Sequence, residues 1–231
     1  MSSVWITGDT HGEHQLDRLS SKNFPDGKEL TKDDYLIVAG DFGLVFSNNP
    51  LDHTERYWTA WLNSKRWTTL FIDGNHENHA RLAKLPTKEM FGGTVGIVSD
   101  SIFHLRRGEI YTIHNKKFFC FGGAFSRDRG HRVLNKTYWE EEVPSSEEMS
   151  YAVQNLDKHN NEVDFIITHT IPNEIMSSLG YDRWDAIDST RNFLSFIAST
   201  VKFERMYSGH MHEDKDISKY SILWDRIIKI V

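Results

Sequence analysis

The sequence has little of what several classes of protein require. It contains a single cysteine, Cys120, so no disulfide framework can form within the chain. No stretch approaches the ~20 consecutive apolar residues that a membrane-spanning helix needs. The first residues run directly into a strand-like segment, with no charged region, apolar region and cleavage site of a signal peptide ahead of it. These absences predict a cytoplasmic protein with no membrane partner.

The chain also lacks an excess of positive charge. It carries 27 Lys and Arg against 33 Asp and Glu, for a formal net charge of −6. Tight nonspecific binding to duplex DNA depends on Lys and Arg that neutralise backbone phosphates, so this composition disfavours it. Metal ions in an active site would add positive charge locally, which keeps a nucleic-acid substrate open.

What is present indicates a packed globular protein. Of the 231 residues, 39% are hydrophobic and 13% aromatic, and they are spread along the whole length. This length suffices for one sizeable core, so we expect one domain over residues 1–231. Cys120 lies in the apolar run from Phe118 to Phe121, which predicts a buried thiol on a strand.

Short apolar runs followed at once by Gly, Asp, Asn or His organise the chain. Buried strands that end in functional loops show this pattern. Helix-like stretches separate the runs, whereas residues 94–124 read as consecutive strands with a hairpin turn at Asn115-Lys116. We therefore expect an α/β fold of two mixed sheets, with helices outside and the polar strand ends on one rim. The runs are Val4 to Thr7, Tyr35 to Ala39, Leu70 to Ile72, Phe165 to Thr168 and Met206 to Ser208.

The polar strand ends supply a donor set for divalent metals. Carboxylate, imidazole and amide oxygen suit divalent transition metals, and no thiolate is available for a structural zinc site. Side chains two apart at a strand end point to one side, as in Asp9-x-His11 and His210-x-His212. The number of donors suffices for two metals that share one ligand. They are Asp9, His11, Asp41, Asn75, His169, His210 and His212.

Glycines stand directly before three of these donors. They precede Asp41, Asn75 and His210, where the absence of a side chain lets the backbone turn sharply and the donors converge.

The chain resembles the calcineurin-like metallophosphoesterases, and most closely their small bacterial or phage-type members. Five blocks match in order: D-x-H, G-D, G-N-H-E, a lone H after a strand, and G-H-x-H. The resemblance implies a four-layer α/β/β/α sandwich. It also implies that Asp9, His11, Asp41 and His212 hold one metal, and that Asp41, Asn75, His169 and His210 hold the second, with Asp41 as the bridge.

The same resemblance implies a reaction. A hydroxide that bridges the metals would attack phosphorus in line, and His76 would stabilise the transition state and protonate the leaving oxygen. The substrate would be a small phosphomonoester or phosphodiester. Manganese is the metal we favour, and Fe, Zn, Co and Ni also suit these donors. A metal-dependent nuclease is the alternative, and a catalytically silent metal-binding scaffold ranks below both because the whole donor set and His76 are present.

One departure from the family pattern narrows the range of expected substrates. Ser/Thr phosphoprotein phosphatases of this family follow the bridging Asp with a second Asp and an Arg that support the catalytic His and clamp phosphate. Here Leu44 and Val45 stand at those positions. A protein phosphatase is therefore disfavoured.

Residues 126–150 form the candidate lid or insertion. This segment is rich in charged and aromatic residues, and it follows Gly122-Gly123-Ala124 at the end of a strand. Because arginine forks bind phosphate well, Arg127, Arg129 and Arg132 are candidate substrate contacts. Ion pairs with Glu140, Glu141 or Glu142 are the competing interpretation for these arginines.

Overall fold

The computed structural model describes residues 2–49, 51–181 and 188–231. These ranges contain two β-sheets and five α-helices. The strands are β1 (Val4–Thr7), β2 (Tyr35–Ala39), β3 (Thr68–Ile72), β4 (Thr87–Met90), β5 (Gly93–Ser99), β6 (Ile102–Leu105), β7 (Ile110–Ile113), β8 (Lys116–Phe121), β9 (Phe165–Thr168), β10 (Arg205–Ser208), β11 (Lys215–Ile217), β12 (Tyr220–Ile222) and β13 (Ile227–Lys229). The helices are α1 (His53–Asn63), α2 (His79–Leu82), α3 (Ser146–Lys158), α4 (Asn173–Ser178) and α5 (Ser189–Thr200).

Local side chains begin the three longest helices. The carboxylates of Asp52 and Asp188 accept hydrogen bonds from the first backbone N–H groups of α1 and α5. Ser145 and Glu148 form a reciprocal capping box at the start of α3. Each cap satisfies N–H groups that have no partner inside the helix, which fixes where the helix begins.

The strands form two mixed sheets. The first sheet has the order β13-β1-β2-β3-β6-β5-β4, and the second has the order β11-β12-β10-β9-β8-β7. Strands β1, β2, β3 and β6 run parallel, as do β8, β9, β10 and β12. The carboxyl ends of the central strands therefore lie at one edge of each sheet.

Three hydrophobic clusters separate four layers. In β2, Leu36 and Val38 face α1 across the outer side of the first sheet, while Ile37 and Ala39 face the second sheet. In β8, Cys120 lies between the sheets and Phe121 packs toward α3 and α5. Since side chains of a strand alternate between its two faces, each sheet is apolar on both sides. The predicted four-layer α/β/β/α sandwich of two mixed sheets is confirmed.

One turn differs from the sequence-based prediction. Strand β7 ends at Ile113 and β8 begins at Lys116, so the hairpin turn is His114-Asn115. Both turn residues have positive φ, 48° and 63°. A two-residue hairpin requires this backbone conformation, and asparagine tolerates it better than lysine does. The prediction that Asn115-Lys116 forms the turn was wrong by one residue.

No helix among the described residues is long and apolar enough to cross a membrane. The thiol of Cys120 is fully buried, as predicted, and burial raises its pKa well above the ordinary value.

Candidate metal centre

The predicted donors converge at the rim where the carboxyl ends of both sheets meet. Asp9, Asp41 and Asn75 follow β1, β2 and β3 of the first sheet. His169 and His210 follow β9 and β10 of the second. The rim is therefore built from both sheets, which explains how residues 201 positions apart in sequence come into contact.

Asp9, His11 and His212 form the first group of donors. The two histidine Nε2 atoms lie 3.1 Å apart. Asp9 Oδ2 lies 3.2 Å from His212 Nε2 and 3.7 Å from His11 Nε2. Three donor atoms thus face one another within the 4.8 Å over which they could bind one ion.

The chemistry of this first group fits a cation. Asp9 is fully buried, and its Oδ1 accepts from the backbone N–H of His210. Its Oδ2 accepts no hydrogen bond of regular geometry from the described residues, although His212 Nε2 lies 3.2 Å away. A buried carboxylate oxygen that accepts no hydrogen bond is costly, and the two facing imidazole nitrogens can share only one hydrogen between them. A divalent ion between these atoms would satisfy all three at once.

Asp9, Asp41 and His169 form the second group. His169 Nδ1 donates to the carbonyl oxygen of Ala39 at 2.9 Å, which directs Nε2 into the site. There Nε2 lies 3.4 Å from Asp41 Oδ1 and 3.0 Å from the side-chain oxygen of Asn75. The amide oxygen of Asn75 thereby adds a third kind of donor.

The two groups share Asp9, whereas the family pattern makes Asp41 the shared ligand. Asp41 nevertheless offers one oxygen to each side. Its Oδ1 faces His169, and its Oδ2 lies 3.9 Å from His11 Nδ1. Asp9 and Asp41 therefore each lie near metal-ligating side chains of both groups.

The electrostatics of the second group are those of a buried ion pair. Burial raises the pKa of Asp41, but the rings of His169, His76 and His11 outweigh it and hold that pKa well below its ordinary value. Burial lowers the pKa of His169, and the carboxylates of Asp41 and Asp9 outweigh it and raise that pKa. In the metal-free protein a proton on His169 therefore occupies the position that a cation would take.

The other two histidine ligands of the family pattern differ in placement. His212 belongs to the first group. The ring of His210 lies 4.8 Å from that of His169, but His210 belongs to neither group. Burial, with His169 beside it, lowers the pKa of His210 to about 3, so its imidazole is neutral and able to bind metal at neutral pH.

Four residues of this rim have a strained backbone conformation. His11, Asp41, His210 and His212 all have φ between 43° and 65°. This left-handed region is unfavourable for residues with a side chain, and it persists only where surrounding contacts enforce it. Such strain is typical of functional sites.

Two glycines permit the close approach of the donors. A Cβ atom at Gly74 would lie 2.1 Å from Asp41 Oδ1, and one at Gly209 would lie 2.1 Å from Asp9 Oδ1. Neither distance is compatible with a side chain. The prediction that glycines before Asn75 and His210 let the donors converge agrees with this geometry.

His76 and Glu77 surround Asp41. The backbone N–H of His76 donates to Asp41 Oδ1 at 2.8 Å, and its Nε2 lies 3.9 Å from Asp41 Oδ2. The fully buried carboxyl group of Glu77 accepts from the backbone N–H groups of Gly74 and Gly43. Glu77 thus joins the loops after β2 and β3.

The three candidate arginines occupy different surroundings. Arg132 Nη1 lies 2.8 Å from His76 Nδ1, and its guanidinium also contacts Asp128. Arg129 instead donates to the fully buried carboxylate of Glu142 at 2.8 Å. Burial lowers the pKa of Arg127, and the positive charge of nearby Arg191 lowers it further. Arg132 therefore contacts a predicted site residue, His76.

The sequence did not predict that Ser126 contacts the site, and it pointed to Glu142 only as an ion-pair partner for the arginines, which it is for Arg129. The side-chain nitrogen of Asn75 donates to Ser126 Oγ at 2.9 Å, and Ser126 Oγ donates to Glu142 Oε2 at 2.9 Å. Because the nitrogen of the Asn75 amide is held in this way, its oxygen faces His169. Ser126 lies 51 positions from Asn75 in sequence, so no local pattern signals the contact.

A cavity of about 680 Å³ opens beside the donors. His11 and His76 line it on the side of the metal centre, and Arg132 and Lys136 contribute positive charge. A cavity of this size can hold a small organic molecule. Its wall also includes Glu13, His14, Gly43, Leu44, Phe46, Ser47, Asn48, Asp52, Thr54 and Glu55.

Comparison with known proteins assigns the family. The family model for calcineurin-like phosphoesterases matches residues 2–214. The chain belongs to the calcineurin-like phosphoesterase family. Members of this family are metal-dependent phosphoesterases that bind divalent ions, and the Asp and His groups described above are candidate ligands. A comparison with curated proteins gives no significant match.

Proposed function

We propose that this chain is a dinuclear phosphoesterase that hydrolyses a small phosphomonoester or phosphodiester. One observation carries the proposal. The Asp9 oxygen that accepts no regular hydrogen bond and the facing nitrogens of His11 and His212 would hold a cation at the edge of a cavity that His76 and Arg132 also line. A phosphate group in this cavity would contact both the cation and the two side chains.

The proposed ligand sets follow the family pattern. The first ion would contact Asp9, His11, Asp41 and His212, and the second Asp41, Asn75, His169 and His210. The separate directions of the two Asp41 oxygens support its role as the bridge. Nitrogen and oxygen donors without thiolate suit manganese, the metal we favour.

When bound, the two ions would act as Lewis acids on the phosphoryl oxygens and lower the pKa of the attacking water molecule. His76 would donate a proton to the leaving oxygen. Its position in the cavity lining supports this role, and the hydrogen bond from its backbone N–H to Asp41 fixes the main chain that carries it. The guanidinium of Arg132, at hydrogen-bond distance from His76, would bind phosphoryl oxygens.

Residues 126–150 would form one wall of the cavity. Arg132 and Lys136 line it from this segment. The wall is tied to the opposite side of the cavity, since Asn48 Nδ2 donates to the carbonyl oxygen of Asn135 at 3.1 Å. Ser126 contacts Asn75 at the base of the same segment. These contacts favour a fixed wall over a lid that opens freely.

The surroundings of Leu44 and Val45 support an activity other than phosphoprotein hydrolysis. Both side chains are at most 2% exposed and belong to the apolar cluster between the first sheet and α1. Neither can clamp a phosphate group.

Hydrolysis of p-nitrophenyl phosphate and bis-p-nitrophenyl phosphate with Mn²⁺ tests the proposal. Asp41→Asn should abolish activity on both substrates, because it removes a charge shared by both ions. His76→Ala should lower kcat by roughly 10²–10⁴-fold, the usual contribution of a general acid. Metal content measured on protein purified without chelator should give about two ions per chain, as a dinuclear site requires.

The ratio of the two activities assigns the substrate class. Wild-type activity no higher than that of Asp41→Asn on either ester would refute the proposal. Linear and circular DNA serve as a further arm, because cleavage of DNA without hydrolysis of the small esters would favour the nuclease alternative.

A further inference from the structure

We infer that Trp224 is a positioning residue that holds the His212 imidazole in its metal-binding orientation. The inference rests on the proposed function insofar as it requires a cation at the first group of donors. It concerns a part of the chain beyond residue 214, where the match to the family model ends.

Trp224 covers His212 directly. The two rings are stacked, with centroids 3.9 Å apart and planes inclined by 25°. The indole also meets the ring of His11 edge-on, at 6.0 Å between centroids. One tryptophan therefore contacts both histidines of the first group of donors.

His212 needs such support more than the other donors do. Its side chain is 51% exposed, against 20% for His11 and complete burial for Asp9. An exposed side chain rotates freely unless a neighbour restrains it, and ordering it on metal binding costs conformational entropy. Stacking against Trp224 places His212 Nε2 opposite Asp9 and His11 before any ion arrives.

The loop that carries Trp224 is itself anchored on two sides. Arg18 donates to the carbonyl oxygen of Trp224, and its guanidinium carbon lies 5.4 Å from the centre of the indole. The carboxylate of Asp214 accepts from the backbone N–H groups of Trp224 and Asp225 at 2.8 and 3.1 Å. Asp214 stands two residues after His212, so the same contacts join the Trp224 loop to the His212 loop.

Calorimetric titration with Mn²⁺ of protein stripped with chelator tests the inference. Wild type should bind two ions. Trp224→Ala should bind one of them about 10-fold more weakly, the effect typical of groups that orient a metal ligand. Trp224→Phe keeps an aromatic ring against His212 and should restore most of the affinity. Trp61→Ala is the matched control. Like Trp224, Trp61 is a partly buried tryptophan, but it lies on α1 and packs against the apolar cluster between that helix and the first sheet.

Fluorescence supplies a second readout. The difference in emission between wild type and Trp224→Phe isolates the signal of Trp224. Paramagnetic Mn²⁺ bound at His212 should quench this difference, whereas emission that remains in Trp224→Phe should change much less. Thermal unfolding of the metal-free variants should show that Trp224→Ala is as stable as Trp61→Ala.

The outcomes separate the two proposals. Equal Mn²⁺ affinities in wild type and Trp224→Ala, or an equal loss in Trp61→Ala, would overturn the role of Trp224. Two bound ions in wild type without phosphoester hydrolysis would overturn the proposed function and leave the role of Trp224 standing. Wild type that binds no Mn²⁺ would overturn both.

Discussion

Replacement of Ser126 by alanine should separate the stability of the protein from the affinity of its metal centre. The Ser126 hydroxyl accepts from the buried amide of Asn75 and donates to the fully buried carboxylate of Glu142, both at 2.9 Å. Its loss leaves a buried N–H donor of Asn75 without a partner. Such a group costs about 1–3 kcal/mol, so we expect Ser126→Ala to lower the free energy of unfolding by about 2 kcal/mol.

The effect on metal binding follows from the other end of the same amide. The Asn75 oxygen faces His169 Nε2 at 3.0 Å, and Ser126 fixes which end of the amide points there. Once the side-chain nitrogen of Asn75 is released, the amide can rotate and turn its NH₂ group toward the metal site. An NH₂ group cannot bind a cation as the amide oxygen does. We expect the affinity for one of two Mn²⁺ ions to fall by about 10–100-fold.

Urea unfolding of metal-free protein and calorimetric titration with Mn²⁺ measure the two effects. Ser101→Ala is the matched control, because Ser101 is a buried serine whose hydroxyl donates to Asn63 at 2.9 Å at the opposite end of the first sheet. It should lose comparable stability and keep its metal affinity. If Ser126→Ala loses stability but binds both ions as wild type does, Ser126 has no part in orienting Asn75.

Three further substitutions probe the described contacts. Asp34→Asn should lower the free energy of unfolding at pH 7 by about 2 kcal/mol, because hydrogen bonds from Ser3 and Thr31 outweigh the effect of burial and lower the pKa of Asp34 below 3.8. A depressed pKa stabilises the fold above pH 3.8 and ceases to do so as pH falls further, so urea unfolding should show the difference from wild type shrinking below about pH 4; a constant difference would contradict this. Gly74→Ala should abolish binding of two Mn²⁺ ions, since its Cβ would overlap the Asp41 carboxylate, and wild-type stoichiometry in calorimetry would refute the packing argument. Arg107→Met should lower the free energy of unfolding in urea by about 3–5 kcal/mol, because it removes the guanidinium that lies 2.7 Å from the buried carboxylate of Asp73. A loss below about 1 kcal/mol would show that this ion pair contributes little to stability.

The sequence predicts the limits of those strands whose buried part ends where the residues change from apolar to polar. The predicted limits of β2, Tyr35 to Ala39, match the structure because an apolar run ends there at a glycine and a charged residue. Strand β4 was not predicted, since its residues Thr87, Lys88 and Glu89 are exposed and show no apolar pattern. It is formed by pairing with β5 at the edge of the first sheet.

The residues of the candidate site also fall into those that the sequence predicts and those that it does not. The predicted metal ligands lie directly after strands, where the change from apolar to polar residues indicates them. Ser126, Glu142 and Trp224 carry no such signal, because each acquires its relation to a donor only when distant segments fold together. Among the arginines, composition cannot tell Arg129 from Arg132, and the neighbouring buried carboxylate of Glu142 decides the difference.

The origin of the donors in both sheets has a consequence for the integrity of the sandwich. An ion held between Asp9 of the first sheet and His212 of the second would cross-link two layers that are otherwise joined by apolar contacts and by hydrogen bonds such as those from His210 to Asp9 and from His169 to Ala39. The single cysteine excludes an internal disulfide, so such an ion would be a cross-link that the chain otherwise lacks. It would close a loop of roughly 200 residues, and because the entropic cost of loop closure grows only slowly with length, a loop this long is little harder to close than a shorter one. Depletion of metal should therefore weaken the protein first along the seam between its sheets.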